Sequence, residues 1–204
     1  MMKKIEKITQ GLLAISLIGL LIAWVMPEPA FSAITVSAVV PTTMLQCTTP
    51  LDGSTNSFGT IDNSAVYAAT TSSTTVESSG TVYMKAYDSG DGSTNPGLYK
   101  APDLIESPNA AYDATATLSA GTEGYGIVAS TTGSNLVIHL DYNYASSTNI
   151  VGGLKYSVGN AKIVASSSVA VSSEIVNIDY EAAVSITTPG GSYSDSVTIS
   201  CSTS

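Results

Sequence analysis

The chain has 204 residues, 44% hydrophobic and only 11% charged, with 16 acidic side chains against 7 basic ones and a net charge of −9. Every basic residue is a lysine. Nucleic acids and anionic membrane surfaces are held by clustered cations that displace counterions, so this composition excludes both as partners.

Lys3, Lys4 and Lys7 precede an apolar run over residues 11–26, and the small residues Ala30, Ser32 and Ala33 follow. A basic start, an apolar middle and small residues at a cut site are the parts of a secretory signal peptide. The leader is predicted to cover residues 1–32, with cleavage after Ser32. An uncleaved anchor helix is the alternative. The run is shorter than the about 20 residues that span a bilayer, and Pro27 and Pro29 terminate it. A type IV pilin leader would need an acidic residue early in the apolar run, and none is there. Cleavage leaves residues 33–204 as a single domain, large enough for a core, with Lys85, Lys100, Lys155 and Lys162 as its only cations. It would be secreted or held at the cell surface, with no membrane contact after cleavage.

From residue 33 onward, apolar and polar residues alternate in short runs, the pattern of half-buried strands. Residues 33–40 place Ile34, Val36, Ala38 and Val40 on one side. The Ser/Thr-rich run 69–80 alternates too and reads as an exposed strand and turn. Residues 81–87 set Val82, Met84 and Ala86 against Tyr83, Lys85 and Tyr87, and residues 112–119 align Tyr112, Ala114, Ala116 and Leu118. Residues 135–144 align Leu136, Ile138, Leu140, Tyr142 and Tyr144. Residues 174–186 align Val176, Ile178, Tyr180, Ala182, Val184 and Ile186, and the last run aligns Val197, Ile199 and Cys201. Turns rich in Gly, Pro, Asn, Asp and Ser separate these runs. The expected fold is all-β, an antiparallel β-sandwich of Ig-like or Greek-key type; a closed barrel is the second option.

The two cysteines, Cys47 and Cys201, both lie in the exported part. An oxidising compartment favours a disulfide between them, tying the last strand to the first; two free thiols or an intermolecular bond are the alternatives.

Several segments together carry a resemblance: residues 34–41 directly after the leader, Phe58, Gly59 and Ile61 ahead of a Ser/Thr-rich strand, and a closing hairpin with Gly191, Tyr193, Asp195, Val197 and Ile199. The chain resembles secreted bacterial β-sandwich surface proteins of the WxL-domain and spore-coat-U, pilin-like type over about a third of the exported part. The resemblance implies a structural or adhesive role at a cell surface. The chain departs from that pattern in one respect, because no Trp-x-Leu follows the leader. The wall-binding role attached to that motif is therefore not carried over.

Chemistry-bearing residues are few. His139 is the only histidine; on an extended strand it stands about 7 Å from Asp141, and one histidine with two cysteines cannot close a zinc site. Asp88, Asp91 and Asn95 in a Gly-rich loop offer hard oxygen ligands, a weak calcium candidate. Asp179 and Glu181 read as an exposed acidic face. Tyr83, Tyr87 and Tyr125 are weak candidates for a sugar-binding aromatic platform. No catalytic residue and no cofactor is implied. The expected function is that of a non-enzymatic structural or adhesive protein that meets other surface proteins or copies of itself. A secreted carbohydrate- or ligand-binding module is the alternative.

The leader is checked on the secreted protein: its intact mass should correspond to a chain beginning at Ala33, and retention of residues 1–32 would reject cleavage.

Overall fold

A computed structural model describes residues 44–48, 56–107 and 115–203. The leader, the strand expected over residues 33–40, and Tyr112 and Ala114 lie outside the described residues. Among the described residues the regular elements are strands and two short 3-10 turns, and no helix is long and apolar enough to cross a membrane.

The first six strands are β1 (Leu45–Thr48), β2 (Tyr67–Ala68), β3 (Ser72–Ser78), β4 (Val82–Tyr87), β5 (Gly97–Lys100) and β6 (Asp103–Glu106). Then come β7 (Thr115–Thr117), β8 (Gly124–Thr131), β9 (Val137–Ile138) and β10 (Ile150–Gly152). The last three are β11 (Lys162–Ser167), β12 (Val171–Ala183) and β13 (Thr198–Ser202). The larger sheet runs β1-β3-β12-β8-β10-β7, with β2 also on β12; the smaller runs β13-β4-β11-β9; β5 and β6 form a hairpin. Every pairing between these strands is antiparallel.

Alternation sets which residues go inside. On β4, Val82, Met84 and Ala86 are buried while Tyr83, Lys85 and Tyr87 are not. On β12, Val176, Ile178, Tyr180 and Ala182 are buried, and on β13 Ile199 and Cys201 pack against the core. These residues, with Val76, Ile127, Ile138 and Val164, form one apolar cluster to which both sheets contribute. A second cluster of Leu118, Val128, Val151 and Ala183 covers the opposite face of the larger sheet. Strand β8 is therefore buried on both faces from Gly124 to Ala129. Gly126 lets β10 approach it: a Cβ there would stand 2.6 Å from Val151 Cγ2 and 2.8 Å from the Gly152 oxygen.

Three local expectations are corrected. The Ser/Thr-rich run is not exposed, because β3 lies between β1 and β12 with Thr74, Val76 and Ser78 buried. The strand over 135–144 stops at Ile138. A turn closed by the Tyr142 N–H donating to the His139 oxygen leaves Leu140 71% exposed. The chain then crosses to the other sheet, where the Tyr142 oxygen accepts the Ala129 N–H at 2.8 Å. Finally, β12 ends at Ala183, and the turn at Ser185–Thr188 leaves Ile186 86% exposed.

Cys47 and Cys201 form the expected disulfide, with Cα atoms 6.2 Å apart, inside the usual range. Because β1 belongs to the larger sheet and β13 to the smaller, the bond joins the two sheets as well as the two ends of the fold.

Closing a loop of sequence separation 154 limits the unfolded chain by about 5 kcal/mol in the chain-entropy treatment, an upper figure. Cys201→Ser should lower Tm by several degrees, and non-reducing peptide mapping should recover the two cysteine segments linked. Stoichiometric free thiols in the native protein would reject the bond.

Candidate functional site: a buried acidic pair

The sequence-derived calcium set does not converge. Asp91 sits at an exposed loop tip, where its Oδ1 accepts the N–H groups of Ser93, Thr94 and Asn95 at 2.8, 2.9 and 3.1 Å. Its Oδ2 accepts the Asn95 side-chain amide at 2.7 Å. These bonds, the backbone amides first, hold the Asp91 carboxyl far below the usual carboxylate range. The loop satisfies itself. Gly90 makes it possible, with φ +44° and a Cβ position that would lie 1.9 Å from the Asn95 oxygen.

Asp88 points elsewhere. It extends the inward phase of Val82, Met84 and Ala86 by one more step, and it is 1% exposed. A bridge to Tyr156 holds its backbone, with the Asp88 N–H on the Lys155 oxygen at 2.9 Å. From the other end of the chain, Asp195 extends the inward phase of Cys201, Ile199 and Val197 in the same way. Its neighbour Ser194 is bridged to Tyr99 on β5, the N–H of each donating to the other's oxygen. Lys100 anchors the same segment: its Nζ donates to the Gly190 oxygen at 3.0 Å, pairs with Asp103 at 2.8 Å, and lies 5.3 Å from the centre of the Tyr193 ring.

The two carboxyls interact. Asp195 Oδ1 accepts the N–H and hydroxyl of Ser89 and the N–H of Gly90, each at 3.2 Å. Asp195 Oδ2 and both oxygens of Asp88 are buried, with the Gly97 N–H as the donor facing Asp88 and the Tyr125 phenol facing Asp195. Burial, and then the charge of Asp195, push Asp88 up to about 8. Asp195 is raised by burial against the opposing pull of the Gly90 and Ser89 amides. Tyr125 lies in the core beside the pair, 2% exposed, its ring edge-on to Phe58 at 6.3 Å. Its phenol is pushed well up by burial and then by Asp195, with Tyr180 and Asp88 adding to the effect.

Tyr125 thus presents no open ring to a sugar and is separated from Tyr83 and Tyr87. Those two stand with Lys85 on the outer face of the smaller sheet, opposite Ser202, Thr198 and Ser166. The His139 side chain is 44% exposed. The turn, rather than a strand, brings its Nδ1 to 3.3 Å from Asp141 Oδ2, a contact the extended reading had denied.

A second buried acid was read as exposed. Glu181 is 1% exposed, and neither of its oxygens has a partner. It shares its face of β12 with Ala183, toward the second cluster. Burial, and then Asp179, push it up to about 7. Asp179 itself accepts the Thr71 hydroxyl, and Asn177 accepts that of Ser73 at 2.7 Å.

Asp195 went unnoticed in the sequence as an ionisable site residue, although parity counted back from Cys201 places it inside. Comparison with protein-family models, with curated proteins and with solved structures finds no match to this chain.

Both Asp88 and Glu181 have folded-state pKa values above their ordinary 3.8 and 4.5. The native chain then holds protons that the unfolded chain has released. Their contribution is fully present below those ordinary values and is lost as pH rises toward 7 and 8. In chelator-treated buffer Tm should fall between pH 5 and pH 8. Glu181→Gln should flatten the part up to pH 7, and Asp88→Asn the part up to pH 8. A Tm that rises over this interval would reject the assignment.

Proposed function

We propose that this chain is a secreted, non-enzymatic structural or adhesive protein of the cell surface, built as a β-sandwich and able to assemble with copies of itself by strand addition. The observation that carries this reading is the chemistry of the sheet edges. β1 (LQCT), β7 (TAT) and β13 (TISCS) end the sheets without a charged residue or a proline. Edge strands are ordinarily blunted by charge, proline or bulges, because their free backbone groups recruit another strand. Residues 33–40 supply a matching donor: uncharged, alternating and free of proline. Main-chain bonds would give such a pairing its strength, and pockets for every second side chain its register.

Two further points support the reading. The disulfide between the sheets suits an oxidising exterior. Of the residues that carry the resemblance to WxL and spore-coat-U proteins, Phe58, Ile61, Tyr193, Val197 and Ile199 all pack against the main core. They therefore read as a signature of fold rather than of a ligand site. A ligand-binding module is the second reading, favoured by Tyr83 and Tyr87 on the same open sheet face, with Lys85 between them. Glycan-array binding lost on Tyr83→Ala would establish it.

Deleting residues 33–40 tests the assembly. The shortened protein should remain folded and soluble, fail to form oligomers in size-exclusion chromatography, and take up the free 33–40 peptide. Unfolding of the deletion, together with a wild type that stays monomeric at high concentration, would leave the segment as an ordinary strand of its own monomer.

A further inference from the structure

We infer that the Cys47–Cys201 disulfide is an exchangeable latch, through which strand β1 of one copy is traded for β1 of another and two chains become covalently linked. The bond lies along an open side of the fold. β1 ends the larger sheet and β13 ends the smaller, and among the described residues no strand is paired beyond either. Both cysteines are half-buried, within reach of a small thiol.

Apart from that bond, β1 is held on one side. Among the described residues its ladder is with β3, from Leu45 opposite Ser78 to Thr48 opposite Thr75. The Met44 N–H on Ser79 Oγ at 2.7 Å and the Ser79 N–H on the Met44 oxygen at 2.9 Å continue it. Leu45, Gln46 and Thr48 are exposed, and in this strand Cys47 alone packs against the main core. Removing β1 therefore takes one half-buried side chain from the interior. β3 keeps its pairing with β12, and β13 its pairing with β4. An identical strand from a second copy restores every contact that was lost, which is the condition for domain swapping. The eight peptide steps from Thr48 to Asn56 reach at most about 28 Å, enough to pass a strand to a neighbour.

The chemistry is thiol–disulfide exchange. The thiolate of a small thiol attacks Sγ of Cys201, the Cys47–Cys201 bond breaks, and its electron pair leaves on Cys47 Sγ. β1, released from β13, moves to the bare β3 edge of a second copy opened in the same way. There Cys47 Sγ attacks the second copy's Cys201, which carries the small thiol, and expels that thiol as thiolate. The second copy's Cys47 closes the reciprocal bond on the first chain. Two bonds within chains become two between chains, nothing is oxidised or reduced overall, and each initiating thiol is returned. Because the contacts are the same in both forms, protein concentration sets the balance between them. This route to self-assembly uses no residue of the 33–40 segment, so it stands or falls apart from strand addition.

The test mixes isotopically light and heavy forms of the full exported protein in equal amounts. Reduced and oxidised glutathione supply the thiol, at about pH 8, where thiols are partly ionised. After acid quenching and digestion without reductant, linked Cys47–Cys201 peptides should appear with one light and one heavy segment. Their share should rise with protein concentration and vanish when glutathione is left out. In the isolated covalent dimer they should make up half of the linked peptides, the random share for an equal mixture. The dimer should protect the amides of residues 46–48 from hydrogen exchange as the monomer does. In the fully reduced protein the β1 amides should exchange ahead of those of β8 and β12. Linked peptides that stay purely light or purely heavy at high concentration would overturn the proposal. Loss of β8 and β12 protection together with β1 on reduction would do the same, because β1 would then not leave alone. Hybrid peptides from a dimer whose β1 is unprotected would also reject it, by showing a cross-link without an exchanged strand.

Discussion

The structure depends on the two-residue period of its strands. A strand facing a core must place every second side chain inside, and a chain that leaves the strand still extended carries that phase onward. On β4 the phase delivers Val82, Met84 and Ala86 and then Asp88. Counted back from Cys201, it delivers Ile199, Val197 and then Asp195. The same rule that builds the core therefore brings two acids toward the interior from strands that pair directly, β4 and β13. The loop that follows Asp88 answers this with its backbone, donating to one oxygen of Asp195, while the Tyr125 phenol lies beside the pair.

The disulfide and the buried pair lie on the same two strands in different ways. Cys201 is in β13 opposite Met84, and its bond reaches across to β1 in the larger sheet. Asp195 precedes β13 and meets the far end of β4. The closing segment is thus held covalently near its end, and at its start by hydrogen bonds from Ser89 and Gly90 to Asp195. A cross-link of this kind suits a molecule with few cations; Lys100 pairs with Asp103 at 2.8 Å beside the same segment.

Thr74, Ser78, Ser107 and Ser167 are buried with this core, and two of these hydroxyls are satisfied within their own turns. Ser78 Oγ bonds to the oxygen and N–H of Gly80 at the β3–β4 turn, and Ser167 Oγ does the same with Val169 at the β11–β12 turn. Ser107 Oγ accepts the Leu154 N–H at 2.9 Å. A small hydroxyl that closes its own turn is buried at little cost. That explains how a run as polar as residues 72–78 becomes an interior strand.

The sequence by itself determined the all-β class, the inward faces of β4, β12 and β13, and the pairing of Cys47 with Cys201, because alternation and cysteine count are local or countable properties. Only the tertiary structure decided what covers the second face of each strand. Gly124–Ala129 is buried on both sides because β8 lies between β12 and β10, so Tyr125 faces the core rather than solvent. Glu181 is buried because the second cluster covers a face that alternation alone assigns to water. The run 135–144 abandons its strand after Ile138 because Tyr142 is needed beside β8 in the opposite sheet. The meeting of Asp88 with Asp195 depends on β4 and β13 being neighbours, a pairing between residues more than a hundred positions apart. Periodicity reads which way a side chain points; only the assembled sheets decide what it meets there.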